Sequence, residues 1–294
     1  MGDVQIRAAG RDLRTGHDGR AVVLDSASLA MDIAFRAGRR ITHLDTEPGE
    51  PALAELVGSP VAAGYRSAMR AAVPHLMEHG AVLHQLLDDI PNVLLVSGYA
   101  LSVGLSDAEL LAIRPESGSA ARRDICAGWR SGGSLVESVL EAGRLPRLLG
   151  PEAPELRSAD DPLAWHDFAP LPPTSTRRSR RIDAWRAGDV IAVDAYFRDT
   201  HCDAEGFEEV VHEYAVRTTV DPSTLTFVSV EADTGALPYV ECPAALASAE
   251  RLTGQPTAGL RSAVQREFKG PSTCTHLNDT LRALEDLPAL IAAL

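Results

Sequence analysis

The sequence predicts an α+β protein built from two similar modules, each an antiparallel three-stranded meander followed by helices, with a mainly helical segment inserted between them. Three observations predict it. Alternating apolar and polar runs precede runs of helical spacing in both halves, a Pro-rich stretch divides the chain near residue 170, and one helical motif occurs twice. The expected layout is an N-terminal module over 1–90, a middle segment and connector over 91–176, and a C-terminal module over 177–294.

In the C-terminal module, Val190 to Phe197 alternates as a strand does, and His212 to Val220 and Thr224 to Glu231 flank Asp221-Pro222-Ser223 as a hairpin. From Pro243 to Leu252 the spacing becomes helical, Gly254 stops that helix, and Thr257 to Phe268 and Thr275 to Leu284 give two more. Upstream, Pro151-Glu152-Ala153-Pro154 and Pro170-Leu171-Pro172-Pro173 read as connector, because proline removes backbone donors and disfavours helix in its predecessor. The basic run Arg177-Arg178-Ser179-Arg180-Arg181 reads as a solvated stretch between domains.

In the N-terminal half, Leu29 to Phe35 and Arg39 to Asp45, joined by Arg36-Ala37-Gly38, repeat the hairpin. Leu56 to Ala68 parallels Leu252 to Ala263 with a one-residue gap, and Val82-Leu83-His84 then stands opposite Cys274-Thr275-His276. Either the module is duplicated in tandem or two Ala-rich helices resemble each other by chance; the shared Gly-x-Pro and Arg-Ser-Ala favour the first.

Composition bounds the function. With 28 basic and 41 acidic residues the net charge is −13, which repels nucleic acid and anionic lipid. No apolar run is long enough to span a bilayer and the first residues lack a secretory signal, so a cytoplasmic protein is expected. Four cysteines, at 126, 202, 242 and 274, do not make a disulfide framework and are expected as thiols.

The chemistry is expected where Cys242-Pro243 and Cys274-Thr275-His276-Leu277-Asn278-Asp279 open helices, since a helix start favours a thiolate. Cys242 or Cys274 would act as nucleophile or acid, His212 or His276 as base, and Asp194, Asp199 or Asp279 would orient it. Thr275, Asn278 and open helix N–H groups would hold an oxyanion. A second reading makes Cys242, Cys274 and His276 zinc ligands, completed by a carboxylate such as Asp199 or Asp279. The expected cofactor is therefore none or one zinc ion.

Other features read as structural. His75 and His79 fall on a solvated helix face, Cys126 to Gly133 on a plain turn between helices, and Trp165 anchors the linker. Val93 to Val96 reads as a strand leaving for a loop at Ser97-Gly98-Tyr99, and Cys202 is expected exposed and unused.

The runs Arg181-Ile182-Asp183-Ala184-Trp185, Asp194-Ala195-Tyr196-Phe197-Arg198-Asp199-Thr200, Val211-His212-Glu213-Tyr214, Leu237-Pro238-Tyr239-Val240-Glu241-Cys242-Pro243 and Cys274 to Asp279 resemble the family known as domain of unknown function 2889, over roughly 177–284. That name implies no activity. The order of meander, helix-opening cysteine and late helix-opening cysteine is also similar in topology to iron-sulfur scaffold proteins of the IscU and NifU type, although no Cys-Gly-Asp motif stands at the hairpin here.

Three functions follow as expectations. The first is an enzyme, a hydrolase, lyase or isomerase acting on a hydrophobic carbonyl or ring compound through the Cys/His/Asp site. The others are a zinc or iron-sulfur carrier and a non-catalytic partner protein. The expected partner is a small-molecule substrate, not nucleic acid or membrane, and homo-oligomerisation is left open.

Overall fold

The computed structural model describes residues 3–103, 123–142 and 150–294. These form two compact units, one running to Ser97 and completed by Asp286–Leu294, the other from Gly98 to Glu285. Both are mixed α+β, each with one antiparallel sheet. Among the described residues no helix is long and apolar enough to cross a membrane.

Unit 1 is a meander of β1 (Val4–Thr15), β2 (Ala21–Ala34) and β3 (Arg40–Glu47), followed by a 3-10 helix (Pro51–Leu56), α1 (Tyr65–Ala72), α2 (Pro74–Glu78) and α3 (Val82–Val103). Every second residue of β2 from Ala27 to Ile33 is buried, and Met69, Leu83, Leu87 and Ile90 close over them. β1 and the first half of β2 are additional to the expected hairpin. Val93 to Val96 belongs to α3 rather than to a strand, a confusion inherent in short apolar runs. Within it the Ser97 hydroxyl donates to the Val93 carbonyl at 2.9 Å, a back-bond of helical geometry.

Unit 2 contains α4 (Ser134–Ala142), then β4 (Ser175–Ala187), β5 (Val190–Cys202), β6 (Glu208–Asp221) and β7 (Thr226–Thr234) in simple meander order. A long 3-10 helix (Cys242–Leu252), α5 (Leu260–Glu267) and α6 (Thr275–Ala283) follow. The expected meander is present as β5 to β7. The basic run, expected as a solvated stretch, instead forms β4, paired residue by residue with β5. Strand alternation turns Ile191, Val193, Ala195, Phe197 and Asp199 to the buried face of β5 and Asp194 to the other.

The middle segment is tied into unit 2 at two places. Glu241, just before Cys242, accepts from the Ser134 amide and hydroxyl and so caps α4. The Pro151 segment is not a free connector, because it pairs with the start of β6, which β7 leaves uncovered: the Val210 amide donates to the Pro151 carbonyl at 2.9 Å and the Ala153 amide to the Glu208 carbonyl at 2.8 Å. A side chain at Gly150 would collide with the Val210 carbonyl. Trp165 is buried edge-on against Tyr196, as an anchor. Gly150→Ala is therefore expected to cost about 1–3 kcal/mol in urea unfolding; an unchanged midpoint would show that this segment does not pack on β6.

Candidate functional site

The site lies where α6 crosses the buried face of β4, β5 and β6. Asp199 and His212 are directly opposed on β5 and β6, at the last regular pair before a bulge. Residues i, i+3, i+4 and i+7 of α6 from His276 turn His276, Asp279, Thr280 and Ala283 inward, and all are buried. Arg178 of β4 stands opposite Asp199.

Arg178 joins the elements. Its Nε and NH2 groups donate to the two oxygens of Asp199, both at 2.9 Å, and its NH1 donates to Asp279 Oδ2 at 2.8 Å. Asp279 also accepts from Arg282 at 3.3 Å, and the Arg178 guanidinium lies 4.6 Å from the centre of the Phe197 ring. Arg180 donates to the Asp279 carbonyl at 3.3 Å.

Against this network two imidazoles stack. The rings of His212 and His276 are 3.6 Å apart and inclined at 21°. Burial first, and then His276, hold His212 well below its ordinary pKa, with Asp199 opposing. Burial, then Arg178, lowers His276 to about 3. Both rings are neutral at pH 7, and two cationic rings at this spacing would repel strongly, so the stack takes up at most one proton. His212 Nδ1 faces Asp199 Oδ2 at 3.9 Å, and His276 Nδ1 lies 3.4 Å from the Thr275 hydroxyl and 3.8 Å from the Cys274 sulfur.

The thiols behave differently from the thiolate expectation. Cys274 caps α6 and Cys242 begins its 3-10 helix, yet all four cysteines are buried. Desolvation outweighs the helix-start N–H groups and pushes the Cys274 thiol up; burial followed by the charge of Cys274 pushes Cys242 to about 12 and Cys126 to about 11. The expectation that Cys202 is exposed fails as well, since it is 1% exposed.

Cys126 is an addition that the sequence did not flag. Its turn is held to the Cys274 loop by an Ala127 amide to Thr273 carbonyl bond of 2.8 Å, and a Cβ on Gly128 would lie 3.0 Å from the Cys242 sulfur. Three of the four cysteines are thus electrostatic neighbours, and Tyr214 sits among them with its hydroxyl pKa raised by burial and then by Cys274. Arg178 and Tyr214 were also missed as site residues. For Arg178 no local signal was available, because the acids it meets lie on another strand and on α6.

Of the expected residues, Asp199, His212, Cys274, His276 and Asp279 come together, and Cys242 stands beside Cys274. Asp194 does not join them. It lies on the opposite face of β5, 3.9 Å from Arg181. Asn278 bonds the Phe268 carbonyl at 2.9 Å and serves its own loop.

Metal binding can be tested on geometry. Among the described residues, the ligand atoms of Asp199, His212 and His276 lie within 4.8 Å of one another; Cys242 and Cys274 are not in that group. A metal must lie near the plane of each imidazole that binds it. Rings with centres 3.6 Å apart and inclined at 21° lie nearly face to face, so a shared ion would require one ring to turn.

Residues 176–289 match the model of a family described as "Protein of unknown function (DUF2889)". The resemblance read from the C-terminal motifs is thereby borne out. The DUF2889 match runs from β4 through α6 and includes every residue of the network, while Cys126 lies outside it. No curated protein and no solved structure matches the chain.

Two predictions follow from the geometry. Arg178→Leu leaves two buried carboxylates without their shared partner and should cost about 3–5 kcal/mol in denaturant unfolding; Arg178→Lys should rescue little of it, because an ammonium cannot span both. The two histidines have folded pKa values below that of the unfolded chain, so below pH 6.5 the unfolded state binds more protons. Their contribution is complete above pH 6.5 and is lost as pH falls towards 3. The melting temperature should drop across that window and drop less in His276→Gln, with the His212 and His276 ring protons showing no titration between pH 5.5 and 8 by NMR.

Proposed function

We propose that unit 2 is an enzyme that transfers protons at a hydrophobic carbonyl or ring compound, with His212 as the base. The observation that carries this reading is the neutral imidazole pair set against a buried carboxylate. With Nδ1 of His212 turned to Asp199, Nε2 is the accepting atom, and the Asp199 charge stabilises the imidazolium that forms. The 3.9 Å separation is of the kind that tightens when substrate binds. The neutral ring of His276 stacks on the new cation and adds no second charge.

Negative charge developing on a carbonyl oxygen needs donors. His276 Nδ1 faces the thiol and the Thr275 hydroxyl and accepts from them, which assigns the ring proton to Nε2. His276 Nε2 and the Thr280 hydroxyl are buried with no hydrogen-bond partner among the described residues, while the Tyr214 hydroxyl donates to the Cys274 sulfur. Each such group costs about 1–3 kcal/mol unless a ligand satisfies it. These are neutral donors, whereas Arg178 and Arg282 are committed to carboxylates. A carbonyl oxygen suits the set better than a carboxylate or phosphate does. Cys274, kept as a thiol, acts by hydrogen bonding to His276 rather than as a nucleophile.

Enolisation, retro-aldol cleavage and water-assisted hydrolysis all begin with such a proton transfer, so isomerase, lyase and hydrolase activities share these roles. His212→Gln should lower kcat by about 10²–10⁴-fold on a substrate found by screening uncharged carbonyl compounds. Cys274→Ser should retain most of the rate, because the hydroxyl still donates to His276. The proposal fails if His212→Gln, folded by circular dichroism, turns over at the wild-type rate, or if Cys274→Ser is inactive with a covalent adduct forming on the wild-type sulfur.

A further inference from the structure

The two units repeat one backbone, bond for bond. In unit 1 the Gly58 amide donates to the Ile41 carbonyl (2.8 Å), Ile41 to Ser59 (3.0 Å) and Val61 to Arg39 (2.9 Å). In unit 2 Gly254 donates to Phe227 (2.8 Å), Phe227 to Gln255 (3.0 Å) and Thr257 to Leu225 (2.9 Å). Arg39 and Leu225, the residues at the strand entrance, both hold positive φ, 57° and 53°, a conformation uncommon for non-glycine residues. Gly64 and Gly259, both left-handed, each precede a helix of eight residues.

The sheets agree in their irregularities too. The β2–β3 register shifts after Asp32↔His43, and that of β6–β7 after Thr219↔Ser229. The β1–β2 register shifts after Asp12↔Asp25, and that of β5–β6 after Asp199↔His212. Bulges are specific local features of a backbone, and their recurrence at matching places points to a shared design. Aligned on them, Asp12 stands at Asp199 and Asp25 at His212, each pair 187 residues apart.

We infer that unit 1 is a second copy of the module in which the proton-transfer position has become a helix clamp, so that of the two copies only unit 2 keeps the acid–base site. Asp25 Oδ2 accepts the amide of Val82, the first residue of α3, at 2.9 Å. A carboxylate there satisfies an orphan N–H and meets the positive end of the helix. Its counterpart His212 faces the corresponding helix start with a ring instead. Among the described residues the unit 1 sheet has three strands and ends at β1, with none in the place of β4 and its Arg178. Without that guanidinium Asp12 is pushed up to about 6 by burial, then by Asp25 and Asp286. The aspartate survives while its cation and its imidazole are both gone.

The correspondence rests on backbone geometry and stands whether or not His212 proves to be the base, and its test reads neither copy through turnover. In the full chain, Asp25→Ala should speed hydrogen exchange of the Val82 amide at least tenfold, whereas His212→Gln should leave that amide unchanged. Asp12→Asn and Asp25→Asn should leave the NMR ring signals of His212 and His276 in place. Unchanged Val82 protection in Asp25→Ala overturns the clamp, and movement of the two ring signals in a folded Asp12→Asn protein overturns the assignment of one independent site to unit 2.

Discussion

One guanidinium constrains the whole of unit 2. Arg178 is held on the only strand that the meander did not require, and it bonds the carboxylates of a neighbouring strand and of α6 at once. The side chains involved are 5%, 1% and 3% exposed, so these charges are paid for by one another and not by water. Such a buried network adds little net stability over apolar packing, but removing any member strands a charge. Its value is geometric. A planar fork that uses both Asp199 oxygens fixes the carboxylate, and the third contact fixes the height of α6, which sets the distance between His276 and His212.

The same network decides the protonation of everything near it. Arg178 opposes a charge on His276, and the ring pair opposes a charge on itself. On the thiols two effects compete: helix-start N–H groups favour a thiolate, while burial favours the thiol. Burial is the larger, and it raises Cys126, Cys242 and Cys274 alike. The proton-accepting capacity of the site therefore resides in imidazole nitrogen, with sulfur reduced to a donor. A cysteine-centred chemistry would need the cluster opened to water, which the Glu241 cap on α4 and the Ala127–Thr273 bond hold shut.

Much of this was legible in the residues. Alternation marked β5 to β7, helical spacing marked α5 and α6, and the same alternation, counted from Phe197 to Asp199, separates Asp199 from Asp194 without any structure. Arg178 was not legible, because a strand read as Arg-Arg-Ser-Arg-Arg has no apolar face, and only the acids it meets from residues 21 and 101 positions away make it a core residue. Cys126 was hidden for the same reason. Its turn looks plain in isolation, and its proximity to Cys242 and Cys274 depends on pairings between segments more than a hundred residues apart. Local signals give elements; charge compensation is a property of the assembled sheet.

Comparing the two units shows which parts of the module differ around the proposed proton-transfer site. The bulge, the aspartate beside it and the helix start facing it are present in both, so they belong to the backbone design and carry no function by themselves. What differs is the fourth strand. With β4 present, Asp199 is held by the Arg178 guanidinium and stands opposite the His212 ring. With no strand at that edge among the described residues, burial and then the charges of Asp25 and Asp286 raise the pKa of Asp12 to about 6. A carboxyl that takes up a proton near pH 6 is a weaker counter-ion for an imidazolium than one held by a guanidinium, so a histidine at position 25 would gain less from its neighbour, and a carboxylate that caps α3 is the more stable occupant. The added strand, more than the histidines it serves, is what the proposed acid–base site has and the unit 1 copy lacks among the described residues.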